Sequence, residues 1–174
     1  MNKVMQFSAS SSLTGRKYMG IHITLHAGRN FILAIFHGPV TAHELESFVD
    51  ELLLDKYDTK DKVRLAILSE GASASLLRYH TICAAGKRMR LGRHRQHRGK
   101  LAIIARSRVG FGLAKMYQMA TEKVEPSEIL VLHGDGLESA TQWLGISDLS
   151  ANIRQILNCV EQGVERGLST QMIR

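Results

Sequence analysis

Residues 20–53 read GIHITLHAGRNFILAIFHGPVTAHELESFVDELL, and three periodicities follow one another inside them. From Gly20 to Ala27, Ile21, Ile23 and Leu25 alternate with His22, Thr24 and His26, the pattern of a half-buried strand. Gly28-Arg29-Asn30 supplies a turn. Phe31 to Phe36 (FILAIF) is apolar at every position, which suits a strand covered on both faces. The two strands read as a hairpin. His37-Gly38-Pro39 stops the second strand, and Thr41 with Glu44 three residues later forms a capping box. Leu45, Phe48, Val49, Leu52 and Leu53 then recur at helical spacing, one apolar stripe for a helix lying on a sheet.

The same alternation of strand and helix continues outward. Val63 to Leu68 (VRLAIL) predicts a strand, Ser75 to Leu91 a helix, and Lys100 to Ala105 (KLAIIA) another buried strand. Val109, Leu113, Met116 and Ala120 form the face of the next helix, and Ile129 to Leu132 is a last strand. Asp135 with Glu138 has capping-box spacing and opens a short helix ending at Trp143-Leu144. A final amphipathic helix is predicted from about Asp148 to Gly167. The order β-β-α-β-α-β-α-β-α-α predicts an α/β domain: a mixed, mostly parallel sheet of four or five strands, opened by a hairpin and covered by helices. Residues 1–19, with Ser8, Ser10, Ser11 and Ser12, read as a flexible segment. Residues 20–146 read as the domain, and 147–174 as a C-terminal helix packed on it or on a dimer partner.

At 174 residues the chain can bury a core without metal or disulfide. Cys83 and Cys159 fit no ligand spacing and read as free thiols in a reducing compartment. No signal peptide and no run of ~20 apolar residues is legible, so a cytoplasmic protein is expected. The net charge of +7 is unevenly spread. Between Glu70 and Glu122 there is no acid and there are eleven Lys or Arg; the remaining twelve cations face all 16 acids, so the rest of the chain is net −4. Segregated charge speaks to partners, not to fold.

Three segments carry a family resemblance: HGPVTAHEL, LAIIARSRVGFGLAKMYQM and ILVLHGDGLESATQWL. Through Gly38, Val40 and Thr41, through Ala102, Ile103 and Ile104, through Gly112, Leu113, Lys115 and Met116, and through Ala140, Trp143 and Leu144, residues 20–145 resemble the SpoIIAA-like group of STAS/SEC14-type domains. The resemblance implies a four- or five-stranded mixed sheet, no known catalysis, a tendency to dimerise, and regulation through a partner protein. Relatives that antagonise anti-sigma factors carry a phosphorylatable serine in an Asp-Ser-Ser-Gly setting after the third strand. Here that loop is Ser69-Glu70-Gly71-Ala72-Ser73-Ala74-Ser75, with serines but without that order.

The densest charge lies in GKRMRLGRHRQHRGK, residues 86–100. Lys87, Arg88 and Arg90 complement the C-terminal dipole of the preceding helix. That leaves Arg93, Arg95, Arg98 and Lys100 to be explained, and an anionic surface would relieve their repulsion. Nucleic acid, anionic lipid and an acidic protein are the candidates; the absence of aromatic residues between the cations weakens single-strand stacking. Ser69, Ser73 and Ser75 are candidates for a switch or an anion-binding loop ahead of a helix. His80 and Cys83 stand at i and i+3, and a core pair is preferred over a nucleophile pair. His22 and His26 could share one strand face, with exposed polar residues preferred over a metal pair. Gly110-Phe111-Gly112 lacks the third glycine of a dinucleotide fingerprint, and Gly112 reads as a packing residue.

These readings lead to a non-enzymatic, STAS-like regulatory or binding protein, dimeric, with no cofactor, whose basic loop docks an anionic partner. A SEC14-like carrier of a small ligand or lipid is the first alternative, and a nucleic-acid-associated protein the second. An enzyme using Cys83 or the serine loop is a further reading, with no residue assigned as catalytic.

Overall fold

Chain order and spatial order coincide in the sheet. The computed structural model describes residues 15–17, 20–26, 28, 30–53, 62–73, 77–91, 99–121 and 128–162. Within them β1 (Gly15–Lys17), β2 (Ile21–His26), β3 (Phe31–Phe36), β4 (Val63–Leu68), β5 (Lys100–Ala105) and β6 (Glu128–His133) lie side by side in sequence. The β1/β2 and β2/β3 pairs are antiparallel, and β3 to β6 run parallel. This is the expected α/β class: a mixed, mostly parallel sheet that opens with a hairpin. Five strands have six residues each. The sixth, β1, is a three-residue edge strand inside the segment read as flexible. Pairing with β2 through Gly15↔Thr24, Arg16↔Ile23 and Lys17↔His22 orders it, because backbone hydrogen bonds do not need an apolar side-chain pattern.

The parallel connections carry α1 (Ala42–Leu52), α2 (Tyr79–Leu91) and α3 (Arg108–Thr121). Crossovers between parallel strands are right-handed, and three such steps in one direction put all three helices on one face. The core follows this division. Ile21, Ile23 and Ile32 pack with Val49 and Leu52 of α1 and with Ala85 and Met89 of α2; Leu101 and Ile103 pack with Ala114 of α3. The alternate residues Leu33, Ile35, Leu65, Ile67 and Ile104 face the other way. There they meet α4 (Leu137–Leu144), a 3-10 turn (Ser147–Leu149) and α5 (Ser150–Glu161). β3 is apolar throughout because both of its faces are covered. Leu33, Ile35, Leu65 and Ile67 are at most 1% exposed, and each such burial stabilises the fold by ~1.5–3 kcal/mol.

The termini of the helices separate local from tertiary signals. At α1 the capping box forms: Thr41 Oγ1 accepts the Glu44 N–H at 3.2 Å, and Glu44 Oε2 accepts the Thr41 N–H at 2.9 Å. Glu44 Oε1 also accepts the Gly20 N–H at 3.2 Å, which ties the start of the hairpin to the helix. The second expected capping box does not form. Gly136, not Asp135, is the N-cap of α4 and gives no side-chain bond. The Glu138 carboxylate turns to Ser150 Oγ and Arg154 instead, both at 2.9 Å. α4 stops at Gly145, whose φ of +75° favours glycine; its N–H returns to Gln142.

Two boundaries differ from expectation. α2 begins at Tyr79 and not at Ser75; its first turn closes on the Arg78 carbonyl. The last helix begins at Ser150 after the 3-10 turn. Its Ile153, Ile156 and Leu157 are buried in this domain's own core, and residues beyond 162 lie outside the described ones.

Candidate functional site

Between the sheet and the three crossover helices lies a cavity of about 160 Å³. Its floor alternates along the strands: Ile32, Ala34 and Phe36 of β3, then Arg64, Ala66 and Leu68 of β4. Register brings them side by side as Ile32↔Arg64, Ala34↔Ala66 and Phe36↔Leu68. Its roof is Phe48 and Leu52 of α1, Ile82 and Met89 of α2, and Leu113 and Tyr117 of α3.

Small residues account for the space. Ala34 and Ala66 are paired in the middle of the floor, where Leu or Ile would fill it. Above them Ala85 of α2 and Ala114 of α3 are small as well. α2 and α3 are held close by Gly86, where a Cβ would stand 2.8 Å from Thr121 Cγ2. The two helices therefore close on each other while the alanines leave room below. Protein interiors are otherwise packed like organic crystals, with few voids larger than water. A cavity of roughly 150 Å³ lined by such side chains stays dry and holds a benzene-sized guest.

The cavity has two unlike ends. Val109, the second residue of α3, is 70% exposed and also lines the cavity. The mouth is therefore at the edge where β4 and β5 end. Towards the opposite edge lies Arg64, the second residue of β4, 5% exposed and the only charged side chain among the lining residues. Ser73 and Tyr117 are the other polar side chains in the lining. Glu51 and Lys62 are also buried, and all three charged groups are engaged by neighbours, as burial of charge requires.

The residues singled out in the sequence fall at both edges. Ser69 is buried at the end of β4, and its N–H reaches the Phe36 carbonyl at 3.0 Å. Ser73 forms an isolated parallel bridge with Pro39: its N–H donates to Gly38 O at 2.8 Å, and its carbonyl accepts from Val40 at 2.9 Å. The backbone donors of Ser69 and Ser73 are thus used in fastening this loop to the end of β3. Ser75 lies outside the described residues, as do Arg93, Arg95 and Arg98.

At the other edge Lys87 is exposed on α2. Arg88 forms a half-exposed pair with Asp50 of α1 at 2.9 Å, and Arg90 belongs to the last turns of α2. Lys100 opens β5, and its ammonium is taken up by Trp143 of α4. The end of α2 and the start of β5, which bracket the basic stretch, and residues 69–73 of the serine loop stand at opposite edges of the sheet.

Two smaller readings are corrected. His80 is exposed and Cys83 half-buried, so they are not a core pair. Cys83 lies against the Tyr79 hydroxyl, and the hydrogen bond between them pushes the phenol above its ordinary pKa. Gly112 is exposed with open space around it. The packed glycine is Gly110, buried against Leu68, with its N–H on Ser107 Oγ at 3.0 Å. The cavity was not anticipated. Its signals were an alanine at the matched position of two apolar strands, FILAIF and VRLAIL, and one arginine inside the second.

Among the described residues no three His, Cys, Asp or Glu side chains converge, and no helix is long and apolar enough to cross a membrane. Compared with known proteins, the chain matches no family model, and neither a curated protein nor a solved structure is significantly similar to it.

Proposed function

We propose that this is a binding protein that holds a small, largely apolar molecule between its sheet and its crossover helices. The observation that carries the reading is the cavity: matched alanines empty it, apolar side chains line most of it, and it opens beside Val109. An apolar pocket with a few polar groups fixing orientation is the common form of a ligand site. The reading agrees with the ligand-carrier side of the STAS/SEC14 resemblance, which the order of elements supports. It requires no catalytic group.

The test is native mass spectrometry of the purified protein, followed by thermal denaturation with octanol. A ligand that binds only the folded state raises the melting temperature in step with its concentration. A retained mass or a saturable rise supports the reading. A protein that carries nothing and is not stabilised by octanol or octanoate overturns it.

A second reading concerns the basic stretch, residues 86–100, as a docking surface for an anionic regulatory partner, with homodimerisation as in the resembling family. Lys87 and the half-exposed Arg88 favour it, both at the edge remote from the cavity mouth.

A further inference from the structure

We infer that the ligand of this cavity is a compact, uncharged hydrocarbon of about the bulk of a benzene ring, held by apolar contact, and that the site excludes carboxylates and phosphates. The inference rests on the cavity reading and adds to it the charge and the size of the ligand.

Three observations carry it. First, the polar side chains of the lining are already committed. Arg64, Ser73 and Tyr117 each interact with neighbours in the protein, and the other lining side chains are apolar. Second, the backbone of the floor is used. β3 pairs with both β2 and β4, and β4 with both β3 and β5, so the N–H and C=O groups beneath the cavity are taken up in the ladders. Within the helical turns of the roof, those groups bond along each helix. Third, the space is small and short. It measures about 160 Å³, and the paired Ala34 and Ala66 that open it are bounded along β3 by the larger Ile32 and Phe36.

A carboxylate or phosphate entering this cavity would exchange its water shell for walls whose polar groups are already engaged. Burial of a charge on those terms is strongly unfavourable. A hydrocarbon meets the opposite balance. It leaves water, and it supplies contact partners to wall atoms that face a void. A cavity of roughly 150 Å³ with such a lining takes up benzene. The end of a long acyl chain would stand out of the mouth beside Val109, where it gains nothing from the floor.

The test is isothermal titration calorimetry of the wild-type protein at neutral pH with two pairs of molecules. Toluene and benzoate share a ring and differ in charge; toluene is expected to bind roughly tenfold or more tightly. Octanol and decanol share a head and differ in length. Two further buried CH₂ groups would tighten binding roughly fifteenfold, whereas a cavity already full leaves the two alcohols about equal. Benzoate binding as tightly as toluene overturns the inference and leaves the cavity reading intact. So does decanol binding roughly tenfold or more tightly than octanol, or octanol binding where toluene does not. Failure of all four molecules to bind overturns both.

Discussion

The Lys100 ammonium donates to the Trp143 carbonyl at 3.2 Å and lies 4.9 Å from the centre of the Trp143 indole. The last cation of the basic stretch thus belongs to the helix layer on the far side of the sheet from the cavity. It satisfies a carbonyl in the last turn of α4, where a positive charge also complements the helix dipole. Lys100→Met should lower stability by about 1 kcal/mol, read as a fall in melting temperature of roughly 2–4 °C for a chain of this size. Ligand binding should be unchanged. A loss of octanol binding in this variant would contradict the separation of the two layers.

Filling the floor should separate stability from binding. Ala66→Leu places three carbons over the paired Ala34, into the cavity. Added apolar volume in a void is tolerated or stabilising, whereas in a packed core it costs about 1–3 kcal/mol. The expected variant melts no lower than the wild type and binds octanol at least tenfold more weakly. A lower melting temperature with binding retained would mean that the floor is already full.

The contact of α2 with α3 should be intolerant of side-chain bulk. At Gly86 a Cβ would meet the methyl of Thr121, which is 1% exposed and cannot move aside. Gly86→Val is expected to destabilise the protein by about 1–3 kcal/mol. Denaturant titration would show this as a lower midpoint with an unchanged slope.

Acid should loosen the α4–α5 junction through Glu138. The Ser150 hydroxyl, followed by Arg154, holds its carboxyl below the ordinary carboxylate range. A carboxyl depressed in the folded state contributes stability above its unfolded pKa. It loses that contribution as pH falls through the folded one. Glu138→Gln should therefore melt below the wild type at neutral pH, and the two curves should converge below about pH 4. A gap that stays constant down to acid pH would rule out this linkage.

For the basic stretch, the combined change Arg93→Glu, Arg95→Glu and Arg98→Glu should abolish any binding to anionic vesicles or nucleic acid seen at low salt. The wild-type binding itself should fall steeply as salt rises. A triple variant that binds as well as its parent would remove residues 93–98 from consideration as a docking surface.

The layers were legible because they depend on local pattern. FILAIF reads as a strand covered on both faces, and it is; Thr41 and Glu44 are close enough in sequence to form their box without help. What escaped the sequence was decided between elements. Glu138 has the right spacing from Asp135, but Ser150 and Arg154 lie closer to its carboxylate once α5 folds back, and the cap is lost to them. Gly110 and Gly112 look alike in sequence, and only the position of Leu68 shows which one is packed. Two alanines 32 positions apart in the chain, Ala34 and Ala66, mean little until register sets them side by side. The arginine of VRLAIL reads as an ordinary interruption until its strand alternation points it under the helices.

The coincidence of spatial and chain order has a consequence for how the molecule is made. Every strand pairs first with the one synthesised just before it, and α1 settles over β2 and β3, which are already present. No strand has to wait for a distant partner or be inserted between two others. Each closure then spans no more than the segment between two neighbouring strands, which limits its entropic cost. The domain can assemble in the order in which it leaves the ribosome, growing by one strand at a time towards β6.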